Sequence, residues 1–456
     1  MSLRRILLVA AFGLTCFAAL TQAQTAAPNS GTPGSSTPGS AHLSSADRSA
    51  ALKVIKEKLQ ELYVFPEMRP KIVERLNQAQ REGRYDVDDP RLFADRITRD
   101  LKDIAHDGHL FLSVDPAAYA AALAPPQSDA GEDAFFRRQA IRDHHGLTEM
   151  KIFPGNIRYL KIARFEWVQD ETGAIYDEAM RFLKEADAWI IDLRGNGGGT
   201  AAATQYLLSH FFDPGTFDYI SYAGSEPPQQ TPALEYLPAG RLKGKPLYVL
   251  IDGNVGSAAE AVAYDLQQFK IGELVGAKTA GAANNNKLLP VAPNFILSIS
   301  YGRPLHVISH SNWEGVGVKP DVETSPNQAL DIAQSLALKR LTETPGATPE
   351  ALIEYAWART AVEAHLHPVT VAPDYLKTLA GHYGKANVGY GEVNVNYKEG
   401  ALWLERPNRP VARLLPLTPD GVFAIEGSDL LRARLNGKTL DLLWWNDPNP
   451  RVFARD

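Results

Sequence analysis

The stretch Ala188-Trp189-Ile190-Ile191-Asp192-Leu193-Arg194-Gly195-Asn196-Gly197-Gly198-Gly199-Thr200 decides the fold class. Its first half is an unbroken apolar run, the pattern of a strand covered on both faces. A triple glycine follows, and a helical pattern begins at Thr200. Glycines permit positive φ and close backbone approach. Free N–H groups at the helix start can then bind an anion or an oxyanion. The loop lacks the Gly-Lys-Ser/Thr end of a phosphate loop, and Thr200 stands where a dinucleotide fingerprint needs its third glycine.

Outward from this loop, strand and helix alternate. Residues 157–162, 188–193, 246–251 and 271–276 read as strands, and 173–186, 200–212 and 256–269 as helices. Such alternation predicts an α/β layer with mostly parallel strands. The core is expected over 151–325. Upstream, 45–115 reads as an N-terminal helical module with Ser45 as its first cap, and 116–150 as a weakly patterned linker or insertion. Downstream, 326–370 reads as a helical connector and 371–456 as a small all-β domain.

The chain has 456 residues, 45% of them hydrophobic and 22% charged, which excludes wholesale disorder. A net charge of −6 without a long basic run argues against nucleic acid as a partner. Arg4 and Arg5, the apolar run from Ile6 to Ala19, and Thr21-Gln22-Ala23 make the three parts of a signal peptide over 1–23. The run is short for a membrane span. Cleavage near Ala23 predicts a periplasmic or secreted bacterial protein with no membrane span, and a retained anchor is the alternative. Cys16 is the only cysteine, and its context is poor for lipidation. Residues 24–44 are rich in Ser, Thr, Pro and Gly and read as a flexible linker.

Several residues are candidates for chemistry. Ser257, in Gly256-Ser257-Ala258-Ala259-Glu260, falls at a helix start where the dipole and free N–H groups favour negative charge. It is either a plain N-cap or a nucleophile with the next N–H as an oxyanion donor. A base is then required. His109, in His106-Asp107-Gly108-His109, is well placed, with His106 as its competitor. Glu314, before a Gly-x-Gly turn, could orient a histidine. His306 and His310 read as one extended segment, about 13 Å apart and too far for one ion. His365 and His367 would share a face only if extended. No metal and no cofactor are expected.

Together these motifs resemble the tail-specific (C-terminal processing) serine peptidase family, over roughly Tyr63 to Thr324. Asp107-Gly108-His109, the glycine loop, the Gly256–Glu260 helix start and Glu314-Gly315-Val316-Gly317-Val318-Lys319-Pro320-Asp321 occur in the family's order, and Val275 to Gly281 is similar to its VGExTxG stretch. The lysine of the serine–lysine branch would fall on Ala282, and Lys278 does not align with it. The chain resembles more the branch of the tricorn core and the interphotoreceptor retinoid-binding protein, with Gly108 where tricorn has a serine.

The resemblance implies a core of the crotonase/ClpP type with β-β-α units. It implies Ser257 as nucleophile, His109 as base and Glu314 as its acid, with the N–H groups of Ala258 and of Gly197 or Gly198 as oxyanion hole. The substrate would be a peptide or unfolded protein, with oligomeric state open. A binding protein for a lipophilic ligand or peptide on the same fold is the rival reading, and an envelope scaffold a third.

Overall fold

The computed structural model describes residues 42–124, 137–223, 228–386 and 391–456. The expected signal peptide and the linker up to residue 41 lie outside these residues. The end of that linker belongs to the fold. Leu43 is buried, and its N–H donates to Asp88 O at 2.8 Å. Ser44, not Ser45, caps the first helix, Ser45–Leu62. Asp47 stands three residues on and completes a capping box, so the cap falls one residue earlier than the apolar spacing suggests.

Helices Arg69–Arg81 and Pro90–Ala105 follow. Their apolar faces (Ile72, Leu76, Phe93, Ile97) share one core with Leu52, Ile55 and Leu59. That core also contains Leu110, Leu112, Phe295, Leu297 and Ile299, so the helical module is not self-contained. It packs on a sheet in which Phe111–Val114 pairs with the long strand Phe295–His306. The same long strand pairs with Asn285–Val291 and with Phe217–Ala223. Pro290 and Pro304 hide Asn285–Val291 and Phe295–His306 from the sequence pattern, because proline weighs against a strand assignment.

The α/β layer forms as read. Its sheet has the order Val322–Glu323, Glu273–Gly276, Leu247–Ile251, Ala188–Asp192, Ile157–Ile162 and Leu147–Phe153. The four pairings from the first of these strands to Ile157–Ile162 are parallel, and the last strand is antiparallel. Leu160, Trp189, Ile191 and Val249 face helices Gln169–Lys184, Ala201–Ser209 and Ala258–Gln268. Tyr159, Ile190, Tyr248 and Leu250 face helices Ala329–Glu343 and Pro349–Leu366. Burial on both faces is why these strands read as continuous apolar runs.

The region 116–150 is mostly structured where it is described. Helix Pro116–Leu123, a helical stretch over 137–142 and the turn His144–Gly146 lead into the strand that begins at Leu147. The all-β domain is a closed antiparallel barrel of eight strands from Gly381–Ala386 to Asp447–Arg455. Leu402, Leu404, Leu414, Phe423, Leu440 and Phe453 fill it.

Two histidine readings change. The chain turns after His306, with His310 N donating to His306 O at 2.9 Å, so the two do not share an extended segment. His365 lies in the last turn of its helix and His367 caps it, so that pair is helical rather than extended.

Candidate active site

The glycine loop is fixed at its entry by an ion pair. Asp192 is fully buried and accepts hydrogen bonds from Tyr159 Oη (2.7 Å), Arg194 N (2.9 Å), Nε (2.9 Å) and Nη2 (2.6 Å). Arg194 also donates to Pro326 O. Asn196 then pins the loop. Its Nδ2 donates to Ile162 O and its Oδ1 accepts from Gly198 N, each at 2.9 Å, while its O accepts from Gly256 N. The sequence leaves Gly197 and Gly198 open as oxyanion donors. The N–H of Gly198 is taken by Asn196, whereas the N–H groups of Gly197 and Ala258 have no acceptor among the described residues. Gly198 has φ +111°, and a Cβ there would lie 2.8 Å from Ser257 Cβ and 3.0 Å from Ala258 N. The loop therefore lies directly against Ser257.

Ser257 opens the helix Ala258–Gln268 with φ 50° and ψ −122°, a region non-glycine residues rarely occupy. Glu260 holds it there. Fully buried, Glu260 accepts from Ser257 N (2.9 Å) and Ala282 N (2.8 Å) on one oxygen, and from Thr279 Oγ1 (2.5 Å) and Gly281 N (2.7 Å) on the other. Burial pushes its carboxyl above the ordinary glutamate range in spite of these four donors.

His109 is held from below by Asp107 and from the side by Glu314. Asp107 Oδ1 accepts from His109 N and Ser300 Oγ, both at 2.9 Å, and Oδ2 accepts from Tyr63 Oη at 3.1 Å. Ser298 Oγ donates to His109 O at 2.5 Å. Glu314 accepts from Gly108 N (2.7 Å), Ala283 N (2.6 Å) and Asn284 N (2.7 Å). Its Oε2 stands 3.9 Å from His109 Nδ1, facing the ring beyond hydrogen-bond reach. Burial opposes its charge, but His109 and the N–H groups of Asn284 and Gly108 outweigh that and hold the carboxyl below the usual glutamate range. Asp107 moves the other way, raised by burial and then by the Glu314 charge. The rival His106 is exposed at the C-cap of its helix, and Lys278 is exposed on the surface.

Residues 279–284 join the two halves. Gly281 and Ala282 are bonded to Glu260 beneath Ser257, and Ala283 and Asn284 to Glu314 beside His109. A Cβ on Gly108 would lie 3.7 Å from Ala282 Cβ. Ser257 and His109 are thus anchored to one short segment. No hydrogen bond joins them among the described residues.

Reading the sequence for chemistry passes over Glu260, Asn196, Asn284, Ser298 and Ser300. Three of these left a signal. Ser257-x-x-Glu260 is a capping-box pattern. Ser298 and Ser300 alternate with Leu297 and Ile299, which places both hydroxyls on the face opposite the apolar core.

Residues 156–324 match the model described as Peptidase family S41. The matched range contains the glycine loop, Ser257, Glu260 and Glu314, and His109 precedes it. The carboxy-terminal-processing protease of Bartonella bacilliformis is 26% identical over 173 residues, which are 37% of this chain and 38% of that protein. The chain therefore spans well under half the length of that relative. Over this range the chain is therefore similar to peptidases of that family. Among solved structures, the photosystem II D1 C-terminal processing protease is similar with a TM-score of 0.40 and 14% identity, over 62% of this chain and 94% of that one. Mature CPAF is similar with a TM-score of 0.43 and 12% identity, over 66% and 99%.

Proposed function

We propose that the chain is a serine endopeptidase that cleaves peptides or unfolded proteins through an acyl-enzyme. The observation that carries this reading is the setting of Ser257. It is strained at a helix start, clamped through its own N–H by Glu260, and flanked by the free N–H groups of Ala258 and Gly197. A serine that only capped its helix would need neither the strain nor the glycine loop pressed against it.

In the reaction, Ser257 Oγ attacks the carbonyl carbon of the scissile bond and His109 takes its proton through Nε2. Negative charge grows on the carbonyl oxygen. The N–H groups of Ala258 and Gly197 receive it, each such donor being worth about 3 kcal/mol in comparable sites. His109 then protonates the leaving amine. Water enters, gives a proton to His109 and attacks the ester carbon, and the tetrahedral intermediate expels Ser257 as His109 returns that proton to Oγ. Glu314 stays ionised opposite Nδ1 and steadies the imidazolium at each step. The serine–histidine contact closes when substrate occupies the cleft, as is common for catalytic hydrogen bonds.

This assignment places the chain nearer the tricorn-core branch than the serine–lysine branch, because Ala282 has no proton to move. We infer a periplasmic or secreted location from the pattern at 1–23. None of the described helices is long and apolar enough to cross a membrane. The test is incubation of the purified chain and its Ser257→Ala variant with a permanently unfolded protein, with the fragments mapped by mass. Cleavage by the wild type alone is expected. Equal cleavage by both removes Ser257 from the mechanism.

A further inference from the structure

His109 Nδ1 has no hydrogen-bond partner among the described residues, although His109 is only 8% exposed. It faces Glu314 Oε2 at 3.9 Å, too far for a hydrogen bond. Two atoms that each lie about 2.1 Å from one zinc ion are at most about 4.2 Å apart. The 3.9 Å between His109 Nδ1 and Glu314 Oε2 falls within that span. Asp107 offers a third donor: one ligand atom from each of Asp107, His109 and Glu314 lies within 4.8 Å of the other two, so a small inward shift of the side chains lets all three share an ion.

The surroundings suit such a role. Metal-binding carboxylates are normally oriented by hydrogen bonds from a second layer of residues. Here Ser300 and Tyr63 orient Asp107, and the N–H groups of Gly108, Ala283 and Asn284 orient Glu314. Asn284 touches both acids, with its N–H on Glu314 and its Nδ2 on Asp107 at 3.4 Å. Its Oδ1 is left buried without a partner.

We propose that Asp107, His109 and Glu314 form a binding site for a divalent ion of the zinc class, and that the bound ion silences the enzyme by occupying His109 Nδ1. One imidazole and two carboxylates suit zinc. Calcium takes six to eight oxygens and magnesium an octahedron of them. Three protein ligands leave a fourth position for water. With Nδ1 on the ion, the ring can no longer carry the proton that the imidazolium holds there during acyl transfer. The binding rests on the donor atoms alone, whereas the silencing rests on the peptidase reading.

The sequence brings His109 and Glu314 together only through the family resemblance and gives no hint of Asp107 as a third ligand beside them. The test uses the full chain with Ser257→Ala and any affinity tag removed, titrated with zinc chloride by calorimetry and with cobalt chloride by visible absorption. One ion per chain is expected, with the visible bands of cobalt in a low-symmetry nitrogen and oxygen site. His109→Gln and Asp107→Asn should each weaken binding by at least about tenfold. His382→Ala should not, although His382 meets Asp456 and Glu392 on the barrel surface. If Asp107→Asn fails to fold, His109→Gln decides, because His109 Nδ1 makes no hydrogen bond that its loss would break. No saturable binding, or binding that survives His109→Gln, overturns the site. Zinc that binds the active wild type without slowing cleavage overturns the silencing alone.

Discussion

At the residue scale, the glycine loop makes sharply different demands at neighbouring positions. A Cβ on Gly197 would meet nothing within 4 Å, whereas one on Gly198 would press on Ser257 at 2.8 Å with φ at +111°. Gly197→Ala should therefore fold with a melting temperature close to wild type. Gly198→Ala should lose about 1–3 kcal/mol from backbone strain, and more from the overlap. Thermal unfolding of the two variants checks this. Equal destabilisation would contradict the placement of the loop against Ser257. Glu260 offers a second comparison. Its two oxygens receive four donors, so Glu260→Gln turns an NH2 group toward N–H groups. A loss of at least about 1–3 kcal/mol is expected in denaturant unfolding, since buried donors lose their acceptor. Glu260 was visible as a capping residue, but its bonds to Thr279, Gly281 and Ala282 depend on a fold that no local pattern encodes. Ser257, His109 and Glu314 were legible because each sits in a motif. Asp107 shares the motif of His109, whereas Ser298 and Ser300 support it from a distant strand that only their alternation with Leu297 and Ile299 marks.

At the scale of elements, the helix Ala258–Gln268 carries Ser257 at one end and Asp265 near the other. Asp265 is fully buried, and neither of its oxygens has a hydrogen-bond partner among the described residues. Burial, and then the Asp218 charge, push its carboxyl far above the ordinary aspartate range. His306 Nε2 lies 3.4 Å from it, and burial followed by His310 lowers that imidazole to about 4. A carboxyl raised on folding contributes stability that is complete below its unfolded value of about 3.9 and fades as pH rises through the folded value. Asn mimics the protonated acid at every pH. Asp265→Asn should thus gain stability relative to wild type as pH climbs from 4 to 8, measured by urea unfolding at several pH values. A constant difference would mean that Asp265 is not held protonated. The helices and parallel strands of this layer were readable because burial on two faces writes a strong periodic signal. The long antiparallel strands Asn285–Val291 and Phe295–His306 were not, since Pro290 and Pro304 break them and Ser298 and Ser300 turn polar groups inward to serve His109.

At the scale of the whole molecule, the barrel docks on the helix Pro349–Leu366 through a small polar joint. The Arg432 guanidinium lies 3.8 Å from the centre of the Trp357 ring and donates to Trp357 O, and the Trp357 indole N–H donates to Asp429 O at 3.0 Å. Arg432 is 7% exposed, and burial lowers its guanidinium to about 10. A desolvated cation–π contact is worth about 2 kcal/mol. Trp357→Ala should uncouple the barrel, giving a separate, earlier transition in calorimetry while the α/β layer keeps its own. A single unchanged transition would contradict a dependence of the barrel on this joint. Alternating runs announced an all-β domain here. Its closure into a barrel rests on the pairing of Gly381–Ala386 with Asp447–Arg455, which no local stretch reveals.

The central claim is that Ser257 is an activated nucleophile served by His109. It is met most directly by treating the folded wild type with a serine-directed fluorophosphonate and mapping the adduct by peptide mass. The account predicts one adduct, on Ser257, formed quickly in wild type and far more slowly in His109→Gln. An unlabelled Ser257 in folded protein, or labelling indifferent to His109, would contradict it.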